Sequence, residues 1–436
     1  MARAVCFVST YPPRQCGIAT FTRDLIQGLQ RATPAGTVRA RVLAMGDGAR
    51  YPYPSEVARE IPEADPAAYP EAARVINASC DVVSLQHEYG IFGGEHGAHV
   101  LHLIRALERP LITTLHTVLP DPNRQELRIL QELARRSERV VVMSRAALPI
   151  LAQRYRVPVS KIRLIRHGAP SLPFDPTAKA RLGLEGRMVV STFGLIGPGK
   201  GLEYAIEAVG RLRIVHPEVL YLVLGRTHPR LLTGEGSGYR RRLEERVRDL
   251  HLEDHVRFVD RFLSRGEIAL YLSATDAYLT PYPGRNQISS GTLTYALAAG
   301  RAIVSTPYLY AQDVLGDGRG LLVPFSDADA LAGGLQRLLE EPGLLQTLQH
   351  RARAFGKQLS WPAVAMQYLD VFREVAAEPE GRETVPAPGA GPVRAPVPAG
   401  RVARPVPLPA APATMGTERG EAGGRRAGRP SGLAAP

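Results

Sequence analysis

A lysine flanked by glycines is the residue set in this chain best suited to bind an anion. Gly197, Gly199, Lys200 and Gly201 follow the apolar run MVVSTFG and precede the amphipathic segment LEYAIEAV. Glycines let backbone amides approach a diphosphate closely, and the lysine ammonium can neutralise its charge. The loop therefore predicts a phosphate site. The alternative is a solvated lysine in a flexible loop.

A second phosphate site is predicted further along, in the segment TPYPGRNQISSGTLTYALAAGRAIVSTP. Ser289, Ser290 and Gly291 stand directly before the predicted helix TLTYALAAG, which begins at Thr292. Free amides and the positive end of this helix would face whatever lies above the sheet. Gly300 is expected to end the helix as a C-cap before the apolar strand AIVSTP.

A glycine near the N-terminus occupies the turn between a predicted strand and a predicted helix. Gly17 follows the apolar run AVCFVST and opens a helix that begins near Thr20. This arrangement favours an anion or sugar site at the helix N-terminus, and a simple tight turn is the alternative. The turn lacks G-x-G-x-x-G, and the stray glycines at 46 and 48 are too weak a signal to replace it. A nicotinamide dehydrogenase is therefore disfavoured.

Four histidines cluster in the segment LQHEYGIFGGEHGAHVLH, at positions 87, 96, 99 and 102. The segment lacks H-E-x-x-H, and histidines spaced by three drift around a helix rather than converge on one ion. A metal site is therefore disfavoured. His87 and Glu88 come at the carboxyl end of a predicted strand, where doubly wound sheets bind ligands, so we predict that they contact the second substrate. Surface or helix-packing positions are the alternative for the other three histidines.

The elements that would position these residues alternate between short apolar runs and amphipathic stretches at helical spacing. Such alternation predicts an α/β fold with two doubly wound, Rossmann-like units. The first half contains the runs AVCFVST, VRARVLAMG, DVVSLQHE, PLITTLHT, RVVVMS and KIRLIRHG, and the second half contains MVVSTFG, YLVLGRT, VRFVDRF, AYLTPY, AIVSTP and GLLVPF. Most runs end in polar residues or glycine. The carboxyl edges of both sheets are therefore the predicted ligand sites.

The chain is predicted to divide into five segments. An N-terminal Rossmann-like domain is expected over 1–170, a Pro-rich linker over 171–186 and a second Rossmann-like domain over 187–358. One amphipathic helix, 359–377, is expected to pack back towards the N-terminal domain. From 378 to 436 the chain is rich in Pro, Ala, Gly and Arg with almost no large apolar side chains, so we expect a disordered tail.

The overall charge favours anionic partners. The formal net charge is +12, although codon bias towards arginine explains the excess equally well. No aromatic-interleaved basic patch is present, so nucleic acid is not an expected partner. Cys6, Cys16 and Cys80 lack metal-ligand spacing and are expected to be reduced thiols in a cytosol. Because the sequence has no run of about 18 apolar residues, we expect a soluble, cytoplasmic protein. Peripheral contact with the anionic inner face of a membrane is a further expectation that the charge allows.

The chain resembles the family 4 glycosyltransferases, which are retaining enzymes of the GT-B fold. The resemblance covers about residues 1–376 and rests on PPRQCGIATFTRDL, LHT after a strand, FGLIGPGKG, VLG, and ALAAGRAIVSTP followed by GLLVPF. It implies transfer of a hexose, mannose or glucose, from a nucleotide diphosphate sugar to a saccharide or lipid-linked acceptor in polysaccharide biosynthesis. It also implies that no metal or cofactor is needed. Helix capping explains Asp327 and Asp329 better than a metal does.

The resemblance also implies residue roles. Gly17 would lie near the donor phosphate and the acceptor, and Lys200 would lie on the diphosphate. His116 would approach the donor sugar, where its backbone carbonyl or ring could stabilise a developing oxocarbenium ion, so His116 and Lys200 are the predicted catalytic residues. His87 and Glu88 would bind the acceptor. The remaining predicted donor-binding residues are Gly199, Gln287, Ser289, Ser290, Gly291, Thr292 and Tyr295.

The sequence departs from the family pattern at three positions. The usual Glu-x7-Glu pair is replaced by Gln287 and Tyr295, and an arginine normally found before the lysine is replaced by Leu195. Phosphate affinity must then depend on Lys200, on helix-end amides and, as an option, on Arg285. A front-face reaction, in which the leaving phosphate takes the acceptor proton, needs positioning and charge stabilisation more than a protein base. Loss of both carboxylates is therefore compatible with catalysis.

Two other functions stay open at this point. A GT-B protein that binds a sugar nucleotide without reacting would fit the missing carboxylates. A sugar-nucleotide epimerase or a glycan phosphorylase of the same fold is a further alternative, which analysis of the products would separate from transfer. Selectivity for the nucleobase and for the sugar depends on the shape of the loops around the cleft.

Overall fold

Two parallel β-sheets covered by helices form the part of the chain that the computed structural model describes, residues 3–227 and 238–377. The α/β fold with two doubly wound units is thereby confirmed. The predicted disordered tail, 378–436, lies outside the described residues. The predicted domain boundaries stay predictions.

The N-terminal sheet has seven strands and is flanked by five helices. Its strands are β1 Arg3–Ser9, β2 Val38–Gly46, β3 Val57–Pro62, β4 Val82–His87, β5 Leu111–Leu115, β6 Arg139–Val142 and β7 Ile162–Leu164. The helices are α1 Gly17–Ala32, α2 Ala68–Ser79, α3 Val100–Ala106, α4 Arg124–Arg136 and α5 Ala147–Gln153. The strand order is β3-β2-β1-β4-β5-β6-β7, and every neighbouring pair is parallel.

The second sheet has six strands. They are β8 Met188–Phe193, β9 Val219–Leu224, β10 Val256–Val259, β11 Ala277–Thr280, β12 Ala302–Ser305 and β13 Leu321–Leu322. The helices are α6 Ala178–Leu182, α7 Leu202–Leu212, α8 Tyr239–Asp249, α9 Arg265–Ala274, α10 Gly291–Ala298, α11 Leu309–Leu315, α12 Ala328–Glu340 and α13 Leu344–Gly356. The strand order is β10-β9-β8-β11-β12-β13, again with parallel neighbours.

Central strands of both sheets are buried on both faces, which explains their continuous apolar runs. Every residue of β4, β5, β8, β9, β11 and β12 is buried. The strand order reverses beside β1 in the first sheet and beside β8 in the second. Such switch points open a crevice at the carboxyl ends of the strands. The predicted ligand residues lie at or after the carboxyl ends of β1, β4, β5, β8 and β11, at or beside these two crevices.

The last helix, α14 Trp361–Ala377, crosses back to the N-terminal domain and packs on α1. Tyr368 Oη lies 3.1 Å from Thr114 Oγ1 of β5, and the ring of Phe372 lies 6.1 Å from that of Phe7 in β1. The predicted crossover helix is confirmed, because its apolar face has the first sheet as its partner. Among the described helices, none is long and apolar enough to span a bilayer.

A carboxylate of the second domain is held by the first domain beside the linker. Asp313 of α11 accepts hydrogen bonds of 2.9 Å from Arg166 Nη2, 3.0 Å from Ser144 Oγ and 2.6 Å from the Arg145 N–H. Burial raises the pKa of Asp313, but the hydrogen bonds from Arg166 and Arg145 outweigh it and hold the pKa below its usual range. The carboxylate is therefore charged at neutral pH and joins the two domains.

Two of the cysteines form a disulfide, so the expectation of three reduced thiols is wrong. Cys6 of β1 and Cys80, directly after α2, are joined, with 5.9 Å between their Cα atoms. Both pack in the core on one face of the N-terminal sheet. The residues are 74 positions apart, so only the fold shows that they are neighbours. Cys16, directly before α1, has a free thiol.

Removing the ring of Phe372 tests the packing of the crossover helix. Because Phe372 is fully buried against the N-terminal core, we expect Phe372→Ala to lower the free energy of unfolding by about 3–5 kcal/mol. Guanidinium titration followed by circular dichroism measures the change. Gln367→Ala, at an exposed position of the same helix, should change it by less than about 0.5 kcal/mol. A loss below about 1 kcal/mol for Phe372→Ala would show that α14 does not stabilise the first domain.

Candidate functional site

Lys200 ends a 3₁₀ turn, Pro198–Lys200, that lies between β8 and α7. Its Nζ donates a hydrogen bond of 2.7 Å to Tyr282 Oη and lies 4.3 Å from the centre of the Tyr282 ring. Gly194, which has a φ of 128°, lies beside the Lys200 ammonium. A Cβ atom at this glycine would come within 3.8 Å of Lys200 Nζ and 3.1 Å of Thr292 Cγ2. The loop therefore brings Lys200 to the N-terminus of α10.

A chain of hydroxyl groups continues from Lys200 to the start of α10. Tyr282 Oη lies 3.0 Å from Thr292 Oγ1, which lies 3.4 Å from Ser290 Oγ. Ser290 caps the helix, since its Oγ accepts a hydrogen bond from the Leu293 N–H. Burial raises the pKa of Tyr282, but the charge of Lys200 and the hydrogen bonds outweigh it and lower the pKa. The two predicted phosphate features thus form one site.

His116 comes to this site from the N-terminal domain, directly after β5. Its carbonyl oxygen accepts a hydrogen bond of 2.8 Å from Ser289 Oγ, and its Nε2 lies 2.9 Å from Gln86 Oε1. Burial lowers the pKa of His116 to about 3, with smaller contributions from the charges of His167 and His87. The imidazole is therefore neutral at physiological pH, and it lies where the two domains meet.

His167 covers the first residue of α10. A Cβ atom at Gly291 would come within 3.1 Å of His167 Nε2. Burial lowers the pKa of His167 to about 4. The ring of Phe21 lies 5.1 Å from His167 and 4.9 Å from His116, so one aromatic side chain of α1 contacts both imidazoles. His167 was not predicted, although it follows the apolar run KIRLI and a glycine follows it.

The predicted acceptor residues differ in their access to solvent. His87 is fully buried, and neither ring nitrogen has a hydrogen-bond partner in the described structure. Burial lowers its pKa to about 3. Glu88 is only half-buried and accepts a hydrogen bond from Thr117 Oγ1 at 2.5 Å. Their acceptor role stays a prediction, with Glu88 the better exposed of the two.

Two of the predicted glycines, Gly17 and Gly199, lie at open points of the backbone. Gly17 is the first residue of α1, and a Cβ atom there would meet nothing within 4 Å. The same is true of Gly199 in the lysine turn. Gln15, two residues before Gly17, accepts a hydrogen bond of 3.2 Å from Arg226 Nη1 of the second domain. The turn before α1 therefore faces the second domain across the cleft.

The two residues in place of the family carboxylates have structural partners. Gln287 Nε2 donates a hydrogen bond of 2.8 Å to the Ser289 carbonyl, which supports the loop before α10. Tyr295 lies against Phe193 and against Asp24 of α1; burial, and then the charge of Asp24, raises the Tyr295 pKa. Asp24 is buried and pairs at 2.6 Å with Arg265 of the second domain. The carboxylate at this end of the cleft therefore comes from the N-terminal domain.

The chemistry of the site is that of anion binding. Among residues 3–227 and 238–377, no group of three or more His, Cys, Asp or Glu side chains is placed to hold a metal ion. Arg285 was the further candidate for phosphate binding. Its guanidinium lies 4.6 Å from the centre of the Phe325 ring. Lys200 and the amides at the start of α10 therefore provide the positive charge that faces Gly194. Tyr282 was missed by sequence reasoning, and its only signal was its place after the strand AYLT.

Two glycosyltransferase families match the two domains. Residues 16–170 match Glycosyltransferase Family 4, and residues 175–357 match Glycosyl transferases group 1. The two matches are adjacent and in order, and between them they contain most of the site residues described above.

The curated relatives of this chain are described as glycosyltransferases. The chain is 28% identical to a phosphatidyl-myo-inositol mannosyltransferase of Mycolicibacterium smegmatis, over 63% of this chain and 67% of the relative. It is 30% identical to a D-inositol 3-phosphate glycosyltransferase of Nocardioides sp., over 52% of each chain. The chain thus spans between half and two thirds of these relatives.

Solved structures share the fold over nearly the whole described region. Sucrose-phosphate synthase from Thermosynechococcus elongatus aligns with a TM-score of 0.70 and 20% identity, over 86% of this chain and 99% of that one. Anabaena HepE in complex with UDP-glucose aligns with a TM-score of 0.69 and 18% identity, over 85% of this chain and 100% of that one. Both family matches and the shared two-domain fold lead to one conclusion: this chain belongs to the family 4 glycosyltransferases of the GT-B fold.

Proposed function

We propose that this glycosyltransferase moves a hexose, mannose or glucose, from a nucleotide diphosphate sugar to a saccharide or lipid-linked acceptor, with retention of configuration. The observation that carries the proposal is the convergence of Lys200, Tyr282 and the N-terminus of α10 at one point of the cleft. Support comes from relatives described as a mannosyltransferase and an inositol phosphate glycosyltransferase, and from a structural relative that contains UDP-glucose.

The donor diphosphate would take the place of the Tyr282 phenol on Lys200. Lys200 is half-buried, and a charge-assisted hydrogen bond to phosphate is stronger there than one to a neutral phenol. The free amides at the start of α10 add partial positive charge to the same oxygens. Together they stabilise the charge that develops on the leaving diphosphate. Because the protein itself provides this charge, we include metal independence in the proposal.

The donor sugar would lie between the start of α10 and His116. The Gln86 side chain holds the imidazole, and the Ser289 hydroxyl holds the backbone carbonyl, so His116 is fixed on both sides. A neutral imidazole acts through its dipole and its hydrogen bonds, not as a charged acid. His116 would thus orient the sugar and stabilise its oxocarbenium character, while the leaving phosphate takes the acceptor proton.

The acceptor would bind at the carboxyl edge of the N-terminal sheet, beside Glu88. This carboxylate lies at the end of β4, one residue beyond the buried His87, in the crevice that faces the second domain. A hydroxyl-rich or lipid-linked saccharide can donate hydrogen bonds to it. A lipid-linked acceptor would bring the enzyme to an anionic membrane surface, so cytoplasmic location with peripheral membrane contact belongs to the proposal.

One rival function has an observation in its favour. Gln287 and Tyr295 occupy the positions of the family carboxylates, so a protein that binds a sugar nucleotide without transferring the sugar would have the same site. Binding alone would need only the lysine and the helix amides. Turnover separates the two functions, because only transfer releases a nucleoside diphosphate.

Donor turnover tests the proposed function directly. We expect the full chain, incubated with UDP-glucose or GDP-mannose and a panel of saccharide and lipid-linked acceptors, to release the nucleoside diphosphate and to keep that rate in EDTA. Calorimetry on the same samples measures binding. Binding without release would favour the silent protein. An isomerised donor would indicate an epimerase, sugar release that requires phosphate would indicate a phosphorylase, and loss of the rate in EDTA would contradict metal independence.

Lys200→Ala tests the diphosphate contact. We expect it to weaken donor binding by about 10- to 100-fold, the size of one lost charge-assisted hydrogen bond. Calorimetry with the donor measures the dissociation constant. Arg248→Ala removes an exposed cation at the end of α8 and should leave that constant within about twofold. An unchanged affinity in Lys200→Ala would remove this lysine from the site.

His116→Ala tests the stabilisation of the sugar in the transition state. Because that interaction matters most when positive charge develops, we expect kcat to fall by about 10²-fold or more. The donor dissociation constant should change little. His102→Ala, at an exposed position of α3, is the matched control and should leave both constants unchanged. An increase confined to KM in His116→Ala would contradict the role.

A further inference from the structure

A cavity with basic walls, here called the hinge cavity, lies where the segment after β7 joins the two domains. Its volume is about 350 Å³, within the range of small-molecule sites. Its walls are formed by parts of α1, α9, α10, α13 and α14 and by the segment 169–172, where the predicted linker begins. Neither Lys200 nor Ser290 lines it. The cavity is therefore separate from the predicted diphosphate site.

Positive charge dominates the walls of this cavity. Its charged lining residues are Asp24, Arg31, Arg265, Arg353 and Lys357. Asp24 is already paired with Arg265 at 2.6 Å and with Arg23 at 2.9 Å. The other three cations form no ion pair with an acidic side chain of residues 3–227 and 238–377; they are Arg31, Arg353 and Lys357. Three cations at one cavity, all at exposed positions, are thus left without a carboxylate.

A buried arginine adds to the positive field beside the cavity. Arg301 is 5% exposed, and burial, together with the charge of Arg353, lowers its pKa to about 10. The guanidinium groups of Arg301 and Arg353 lie 5.5 Å and 5.8 Å from the centre of the same ring, Phe174. Two like charges share this aromatic ring. A bound anion would relieve their repulsion.

One residue that lines the cavity also carries an unpaired hydrogen-bond donor. Ser360, Trp361 and Pro362 line it, and they are the residues at the N-terminus of α14, a helix of 17 residues. The Trp361 side chain is 4% exposed, and its buried Nε1–H has no hydrogen-bond partner in the described structure. Trp361 thus adds an unpaired N–H to a cavity lined by three cations without carboxylates.

We propose that the hinge cavity binds a small ligand with one or two phosphate groups and that this ligand acts on the transferase from a distance. The ligand would touch α1 of the first domain and α9, α10 and α13 of the second. The Trp361 ring lies 5.0 Å from Phe21, whose ring lies 4.9 Å from His116. A ligand beside Trp361 is therefore two ring contacts from the predicted sugar-binding histidine.

Pyrophosphate titration of the Lys200→Ala variant tests binding, because this background removes the donor-site lysine. Trp361 is the only tryptophan in the chain, so its fluorescence reports on this cavity. We expect saturable 1:1 binding by calorimetry with a matching fluorescence change. Adding Arg353→Gln and Lys357→Gln should weaken it by about 10-fold or more. Loss of all pyrophosphate binding in Lys200→Ala alone would overturn the proposal.

A control pair separates the cavity from the general basic surface. Arg211→Gln and Arg248→Gln also remove two cations from the last turns of helices, so they match the change in net charge and in helix-end charge. This pair should keep pyrophosphate affinity within about twofold. An equal loss in the control pair would show non-specific attraction and overturn the site. If the double cavity variant unfolds, Arg31→Gln, which changes the cavity wall on α1 instead of α13, replaces it.

Two more measurements identify the source of the phosphate group and test whether its binding changes the transfer rate. Flotation with vesicles of phosphatidylcholine and phosphatidylglycerol tests whether the ligand is a lipid headgroup. Flotation that depends on Arg353 and Lys357, without pyrophosphate binding, would overturn the proposal of a small soluble ligand.

Turnover measures the effect of the ligand on the transferase. In the wild-type chain pyrophosphate should change kcat, whereas the Arg353→Gln, Lys357→Gln variant should no longer respond. That second readout rests on the proposed transferase activity. The binding measurement does not, so the two can fail separately.

Discussion

The proposed activity depends on one charge, the Lys200 ammonium, which lies where the edges of the two sheets face each other. Lys200 forms no ion pair with a described residue, and its partner is the phenol of Tyr282. A half-buried cation without a carboxylate is costly unless a ligand supplies the anion. The start of α10 adds partial positive charge at the same point. These features support the diphosphate that we propose as the ligand of this site, and the glycines at 194 and 199 leave space beside the lysine.

The two domains must keep a fixed relation for this charge to act on a sugar. Ser289 of the second domain donates to the carbonyl of His116 in the first, which sets the distance between the phosphate site and the predicted sugar site. The crossover helix α14 and the buried Asp313 hold the domains together on the other side of the linker. Asp24 of α1 pairs with Arg265 across the same boundary. Cleft geometry is therefore determined by contacts that lie mostly outside the cleft.

Local features of the site were predictable from the sequence, whereas its long-range contacts were not. Apolar runs gave the strands, because parallel strands are buried on both faces, and the glycines and Ser290 gave the lysine loop and the helix cap. Tyr282, His167 and Asp24 were missed, since they reach the site from separate elements and have no motif. The Cys6–Cys80 disulfide and the complete burial of His87 were missed for the same reason. Both follow from strand order, which spacing along the chain does not contain.

The most direct measurement of the central claim is a crystal structure of the full chain with an intact nucleotide diphosphate sugar. A phosphate oxygen should lie about 2.7–2.9 Å from Lys200 Nζ, as in other charge-assisted hydrogen bonds. The Tyr282 phenol should be displaced from the ammonium, and the second phosphate should face the amides at the start of α10. Phosphates bound away from Lys200, or a donor that leaves the Lys200–Tyr282 hydrogen bond intact, would contradict the claim.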